Sequence, residues 1–197
     1  DNAHKYAINI NKSNPRKKLH IKDPSEGEKL LLSKSNTDTK RTKELFEPTL
    51  FGGESSILTS SNTQLLHSWL PIRYNWLDWR LLYDLNNDGS SMLTFYDKVN
   101  NKGPLIMLIK DDKGYIFGVF VAQSDGMNDR GVAKRFFGGA DTFVFRLYPN
   151  ADKYEWTKKN RFFCYFDLQN THSGSITIGG GKSPALTLMS NLSRGVS

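Results

Sequence analysis

Two apolar runs separated by a polar turn place the strongest constraint on how this chain can fold. The run PLIMLIK (104–110) is followed by the turn DDKG (111–114) and then by YIFGVFVA (115–122). Both runs have the length and the aliphatic and aromatic content of strands, and a short turn containing Gly joins antiparallel neighbours. The sequence therefore predicts a β-hairpin over residues 104–122.

Further strands and two helices are predicted around this hairpin. Ser60 or Ser61 is a candidate N-cap for a helix that ends before Pro71, and a second helix carries Met92 and Val99 on one face. Short strands are predicted for TFVFRLYP (142–149), RFFCYFDL (161–168), SITIG (175–179) and ALTLM (185–189). Many short antiparallel strands with two early helices indicate an α+β fold, mainly an antiparallel β-sandwich flanked by short helices.

The composition of the chain changes near residue 50. Residues 1–50 contain 11 Lys and Arg against 7 Asp and Glu, in polar clusters without a sustained period of 3.6 or 2. Such a segment has too little apolar surface to fold alone. We therefore predict two parts, a basic extended arm or linker over residues 1–54 and a folded domain over residues 55–197.

The stretch SITIGGGKS (175–183) has the glycines and the Lys-Ser pair of a phosphate-binding loop. That loop requires Gly, four further residues and then Gly-Lys-Ser or Gly-Lys-Thr. Counting back from Gly181 places Ile176 at the first position, where a β-branched side chain cannot adopt the required backbone conformation at low cost. The glycines are instead expected to allow a bulge or a close backbone approach between strands.

The sequence also gives only weak evidence for a metal site or a catalytic site. Asp84, Asn86 and Asp88 resemble the start of a calcium loop, but Phe95 occupies the position where a bidentate Glu is needed. No two of the four histidines have a ligand spacing. Cys164 is the only cysteine, and within RFFCYF it is expected to be a small buried hydrophobe, in a reducing compartment. We predict no catalytic residue, no cofactor and no metal.

The basic residues and the aromatic residues could together suggest nucleic-acid binding. Several phenylalanines, however, fall within strand runs, where a hydrophobic core accounts for them. No nucleic acid is therefore expected as a partner. The longest aliphatic run, LIMLI (105–109), is far shorter than a membrane span, and none is predicted.

Taken in order, six motifs resemble the TLDc domain over residues 55–197. They are SSILTSSNTQLLHSWLPIR, DWRLLYDLNNDGSSMLTFYDKV, GPLIMLIKDDKGYIFGVFVA, FFGGADTFVFRLYP, YEWTKKNRFFCYFD and ITIGGGKSPALTL. The resemblance implies a β-sandwich flanked by short helices and no well-established catalytic site. It also implies a role in protection against oxidative stress, for which TLDc proteins are known. It further implies binding to the vacuolar-type proton-pumping ATPase, which several TLDc proteins bind. The family domain continues beyond the segment that SNLSRGVS resembles, so the C-terminal end of the domain is expected to be lacking.

The functional hypothesis is a non-enzymatic interaction module that binds a large assembly, with the proton pump favoured as partner. The expected partner-binding residues are the basic ones Arg16, Lys17, Lys18, Lys134 and Arg135. An alternative is a structural accessory of a ciliary or cytoskeletal (microtubule) assembly, and a third hypothesis is an antioxidant enzyme that acts through Cys164. The expected location is cytoplasmic, either peripheral to an organelle membrane or in a cilium.

Overall fold

The structure is a computed structural model that describes residues 4–11, 47–123, 136–167, 174–192 and 195–196. Its helices are short: α1 spans Ser60–Trp69, α2 spans Leu85–Asp88 and α3 spans Met92–Val99, with a 3-10 turn at Ile72–Tyr74. None of the helices among the described residues is long and apolar enough to cross a membrane.

The strands of the described residues form two sheets. Their bounds are β1 His4–Asn11, β2 Leu50–Phe51, β3 Asp78–Asp84, β4 Leu105–Lys110, β5 Ile116–Val121, β6 Phe143–Tyr148, β7 Asp152–Tyr154, β8 Cys164–Asp167, β9 Ser175–Ile178, β10 Leu186–Met189 and β11 Gly195–Val196. The larger sheet has the order β2-β3-β1-β4-β5-β6-β7, and the smaller sheet has the order β11-β10-β9-β8. All pairs are antiparallel except β2 with β3.

The predicted hairpin is confirmed and lies in the middle of the larger sheet. Strands β4 and β5 pair antiparallel from Leu105 opposite Val121 to Lys110 opposite Ile116. Both faces of β4 are covered, because Met107 belongs to the core between the two sheets whereas Ile106 belongs to the core under α1. This double coverage explains why the strand is a continuous apolar run and does not alternate with polar residues.

Two apolar cores stabilise the domain, and they confirm the predicted α+β class and sandwich. The first lies between the two sheets and includes residues of α3, and the second lies between the larger sheet and α1. The helix caps follow simple rules: Thr59 caps α1 by accepting a hydrogen bond from the Asn62 amide (3.2 Å), and Ser91 caps α3. The N-cap of α1 is thus Thr59 and not Ser60 or Ser61, the two predicted candidates.

Strand β1 differs from the predicted arm. Residues 4–11 lie between β3 and β4, inside the larger sheet. Ala7 contributes to the core between the sheets, and Ile8 and Ile10 contribute to the core under α1. Strand β2 also falls within residues 1–54, so two pieces of that range belong to the sheet. Residues 1–3 and 12–46 of the predicted arm lie outside the described residues.

Strand β1 was not predicted because the polar composition of residues 1–50 as a whole obscured its few apolar residues. The run HKYAININ contains Lys and two Asn, which are uncommon inside a sheet, so its short alternating pattern did not stand out. Its two partner strands are distant along the chain, and this non-local pairing stabilises a strand that local propensity would not predict.

Candidate functional site

The glycine run after β9 brings two loops into backbone contact. The amide of Gly179 donates to the Phe163 carbonyl (2.6 Å), and the amide of Gly180 donates to the Phe162 carbonyl (2.8 Å). A Cβ atom at Gly180 would lie 2.3 Å from the Cβ of Phe162, which no real contact allows. The segment that follows is strand β10 rather than a helix. The predicted close backbone approach is therefore confirmed, and the geometry is not that of a phosphate-binding loop.

An aromatic cluster lies against this glycine run. The ring centroid of Phe136 is 4.8 Å from that of Phe162 and 5.3 Å from that of Tyr165. The cluster remains accessible, since Phe162 is 49% and Phe136 is 36% exposed. Sequence reasoning did not find this cluster, because its members come from two segments that only the fold brings together.

Four basic residues lie close in sequence to members of the aromatic cluster and its glycine run. Lys158, Lys159 and Arg161 lie on the loop that precedes β8, Lys182 directly follows the glycine run, and all four are exposed. Residues 156–163 and 179–184 contain no acidic residue. We refer to the cluster and these cations together as the aromatic–basic surface, which consists of Phe136, Lys158, Lys159, Arg161, Phe162, Tyr165 and Lys182.

Local hydrogen bonds fix the loop that carries three of these cations. The indole N–H of Trp156 donates to the Asn160 carbonyl, and the Asn160 side-chain oxygen accepts from the Phe162 amide (3.0 Å). Lys158 has a φ of 64°, in the left-handed region, which turns the chain tightly between these contacts. The loop is therefore held in one conformation by contacts that do not involve its charged groups.

The calcium-like sequence forms a helical turn held together by its own carboxylates. Asp84 caps α2 by accepting from the Asn86 amide (3.0 Å), and Asp88 accepts from the Lys98 ammonium group (2.6 Å) and the Asp84 amide (2.9 Å). Partial burial raises the pKa of Asp88, but the hydrogen bonds from Lys98 and the Asp84 amide lower it by more, so its pKa lies below its ordinary value of 3.8. Lysine thus provides the positive charge in this turn, and the described residues contain no group of three or more metal-ligating side chains.

Cys164 lies in the core between the two sheets. It is fully buried, and its amide and carbonyl pair with Phe137 at 3.0 and 2.9 Å. Burial raises the pKa of its thiol well above the ordinary value, so the reactive thiolate is disfavoured. The interpretation of Cys164 as a buried hydrophobe is confirmed.

Lys5, on β1, is a buried cation that the sequence did not single out. It lies opposite Ile109 in the sheet and is only 6% exposed. Burial lowers the pKa of its amino group to about 8.

A groove of about 680 Å³ lies between β5, β6, β7 and the start of β10. Two of its charged side chains, those of Arg146 and Asp111, already have structural partners. Arg146 pairs with Asp152, and the Asp111 carboxylate accepts from the amides of Lys113 (3.0 Å) and Tyr115 (2.7 Å). These contacts shape the β4–β5 turn and the β6–β7 connection, so the groove is an opening of the sandwich lined by groups that stabilise it.

The five predicted partner-binding residues cannot be placed in this geometry. Arg16, Lys17 and Lys18 fall within residues 12–46, and Lys134 and Arg135 fall within residues 124–135, all outside the described residues. Lys134 and Arg135 directly precede Phe136 in the sequence, and Phe136 belongs to the aromatic–basic surface.

Comparison with known proteins gives consistent matches. A family model described as the TLDc domain matches residues 51–197. GTPase-activating protein skywalker of Drosophila melanogaster is 31% identical over 152 residues, 72% of this chain and 26% of that protein. Oxidation resistance protein 1 of Homo sapiens is 32% identical over 153 residues, 77% of this chain and 16% of that protein. Nuclear receptor coactivator 7 of Mus musculus is 28% identical over 129 residues, 65% of this chain and 13% of that protein. The chain thus spans about a quarter or less of the length of these curated relatives.

Proposed function

Because this chain belongs to the TLDc domain family, we propose that it is a non-enzymatic interaction module that binds and regulates the vacuolar-type proton-pumping ATPase in protection against oxidative stress. The oxidative context is supported by the relatives named oxidation resistance protein 1. The pump is proposed on the family resemblance, since several TLDc proteins bind it. The module would act in the cytoplasm, at the surface of an organelle membrane.

The observation that carries an interaction role is the contrast between the interior and the surface of the domain. Side chains that could be reactive or bind a metal instead stabilise the fold, as Cys164 and the Asp84–Asp88 turn illustrate. On the surface, large apolar side chains are exposed, with Ile72 at 81% and Trp76 at 75%. Exposed apolar groups on a rigid scaffold are typical of protein-binding surfaces.

Binding to the purified cytosolic sector of the pump tests this proposal. We expect the 197-residue chain to co-elute with that sector in size-exclusion chromatography and to change its ATPase rate or its reassembly with the membrane sector. The catalytic sector of an F-type ATPase, which has a similar architecture, is the matched control and should not bind. Absence of co-elution and of crosslinks at micromolar concentrations of both components would reject the pump as the partner.

The net charge of +7 favours a second candidate, a structural accessory of a microtubule-based or ciliary assembly. Tubulin surfaces are acidic, and a basic segment binds them in a salt-dependent manner. Deleting residues 1–50 would be a poor test, because the deletion would remove β1 from the interior of the sheet. Neutralising Arg16, Lys17 and Lys18 to Gln leaves β1 intact. This candidate predicts that the neutralised chain loses co-sedimentation with microtubules, and it is rejected if the original chain does not co-sediment.

A further inference from the structure

We propose that the aromatic–basic surface is a docking site for an acidic polypeptide segment that carries an apolar side chain. The inference rests on the proposed role as an interaction module, but it does not depend on the proton pump being the partner. Charge, the apolar centre and the fixed loop conformation each support it.

Four exposed basic residues give the surface a concentration of positive charge. Within the part of the chain that the structure describes, no acidic oxygen lies within 4.0 Å of Lys158, Lys159, Arg161 or Lys182. The two acidic residues that precede the loop are already engaged, since Glu155 pairs with Lys153 (2.6 Å) and Asp152 pairs with Arg146. Among the described residues the four cations thus form no ion pair, and an acidic segment would complement them.

The centre of the surface is apolar. Phe136 contacts the rings of both Phe162 and Tyr165, and the absence of a side chain at Gly180 allows the backbone to pack directly against Phe162. An exposed apolar patch can serve as a protein–protein hot spot, in which one buried apolar anchor is surrounded by polar contacts. The partner segment should therefore contain a hydrophobic or aromatic residue among its acidic ones.

The surface is ordered before any partner arrives. The Asn160 contacts fix the loop, and the amides of Gly179 and Gly180 tie it to the glycine run through the Phe163 and Phe162 carbonyls. A preformed loop loses less conformational entropy on binding than a flexible one. This rigidity gives the basic side chains a fixed arrangement, which specific recognition requires.

The ring arrangement favours a polypeptide over a membrane or a nucleic acid. Insertion into a bilayer interface or stacking on bases needs aromatic rings that project separately with accessible faces. Here the central ring of Phe136 packs against two others, at interplanar angles of 43° and 45°. The cluster thus offers one continuous apolar area for a side chain to cover.

An NMR titration of the 15N-labelled full chain tests the inference. The probe is a synthetic Glu-rich peptide with one central Trp, and the control probe is the same peptide with Lys in place of Glu. We expect saturable chemical-shift changes at residues 156–163 and 179–182 with the acidic peptide only. The double variant Lys159→Glu with Arg161→Glu should bind about tenfold or more weakly.

Two further variants separate charge from apolar contact. The control double variant Arg80→Glu with Lys113→Glu reverses two exposed cations outside the surface and should retain affinity within about twofold. Phe162→Ala keeps all four cations and should weaken binding by about tenfold, since it removes the most exposed ring of the apolar centre. A dispersed spectrum for each variant confirms that it is folded.

The same experiments can overturn the inference. Absence of a saturable shift, shifts mapping to another face, or equal affinity of the Lys159/Arg161 variant would each do so. Co-sedimentation with phosphatidylserine vesicles that the same reversals abolish, in the absence of peptide binding, would assign the surface to a membrane instead. Since none of these measurements uses the proton pump, failure to bind the pump and failure of this surface are distinguishable.

Discussion

The substitution Ile8→Ala tests whether β1 is an integral part of the sheet. Ile8 is fully buried in the core under α1 and lies opposite Leu81 on one side and Ile106 on the other. The substitution removes three carbon atoms, worth about 2.4 kcal/mol at roughly 0.8 kcal/mol per buried methylene. A residual cavity adds to this value, so we expect a loss of about 3 kcal/mol in the free energy of unfolding.

Urea unfolding followed by tryptophan fluorescence measures this loss. With a slope of about 2 kcal/mol per molar urea, the midpoint should fall by about 1.5 M. Ile72→Ala is the matched control, because the same side chain is removed from a position that is 81% exposed, and it should change stability by less than about 0.5 kcal/mol. If Ile8→Ala has as small an effect as Ile72→Ala, residues 4–11 do not form an interior strand and the reasoning is refuted.

Four other predictions follow from buried or closely packed groups. The amino group of Lys5 has a pKa of about 8 in the folded chain against 10.5 unfolded, so the unfolded chain binds more protons between these values. The free energy of unfolding should therefore rise between pH 8 and pH 10.5, by up to about 3 kcal/mol, and Lys5→Met should abolish the rise in pH-dependent urea unfolding. A thiol reagent should label Cys164 rapidly only in denaturant, because burial raises its pKa; rapid labelling of the native chain would contradict this. Gly180→Ala should cost about 1–3 kcal/mol in urea unfolding, since its Cβ would overlap Phe162, and an unchanged midpoint would count against the packing described. Calcium at millimolar concentration should leave the thermal midpoint unchanged, since the Asp88 carboxylate binds Lys98, and a calcium-dependent increase would contradict that arrangement.

Local patterns predicted those elements whose stability depends on local sequence. The β4–β5 hairpin was predicted because both apolar runs and their turn are contiguous. Strand β1 was missed because it depends on partners at residues 78–84 and 105–110, and no local pattern reports a distant partner. The N-cap of the first helix is Thr59, adjacent to the predicted serines. Local sequence does not distinguish these positions, because consecutive hydroxyl side chains can all cap a helix.

In the candidate site too, features set by local sequence were predicted and those that depend on distant contacts were not. Ile176 at a position that requires glycine was sufficient to exclude a phosphate-binding loop, because that constraint is local. The aromatic cluster could not be predicted, since Phe136 and Phe162 are separated by strands β6 and β7 and meet only where the backbone of Phe137 pairs with that of Cys164. The strand pattern did assign the phenylalanines of strand runs to the core, and Phe143 and Phe145 are indeed buried. The pattern does not indicate which face of RFFCYF remains accessible.

The interior position of β1 has a consequence for synthesis on the ribosome. Translation produces residues 4–11 first among the described strands, but their pairing surfaces at β3 and β4 are complete only after residue 110 has been made. Until then Ile8 and Ile10 have no core to enter, and a nascent apolar strand is prone to mispairing. Its insertion closes contacts between distant parts of the sequence, which are intrinsically slow to form. The newly made chain should therefore be a chaperone client until β4 leaves the ribosomal tunnel.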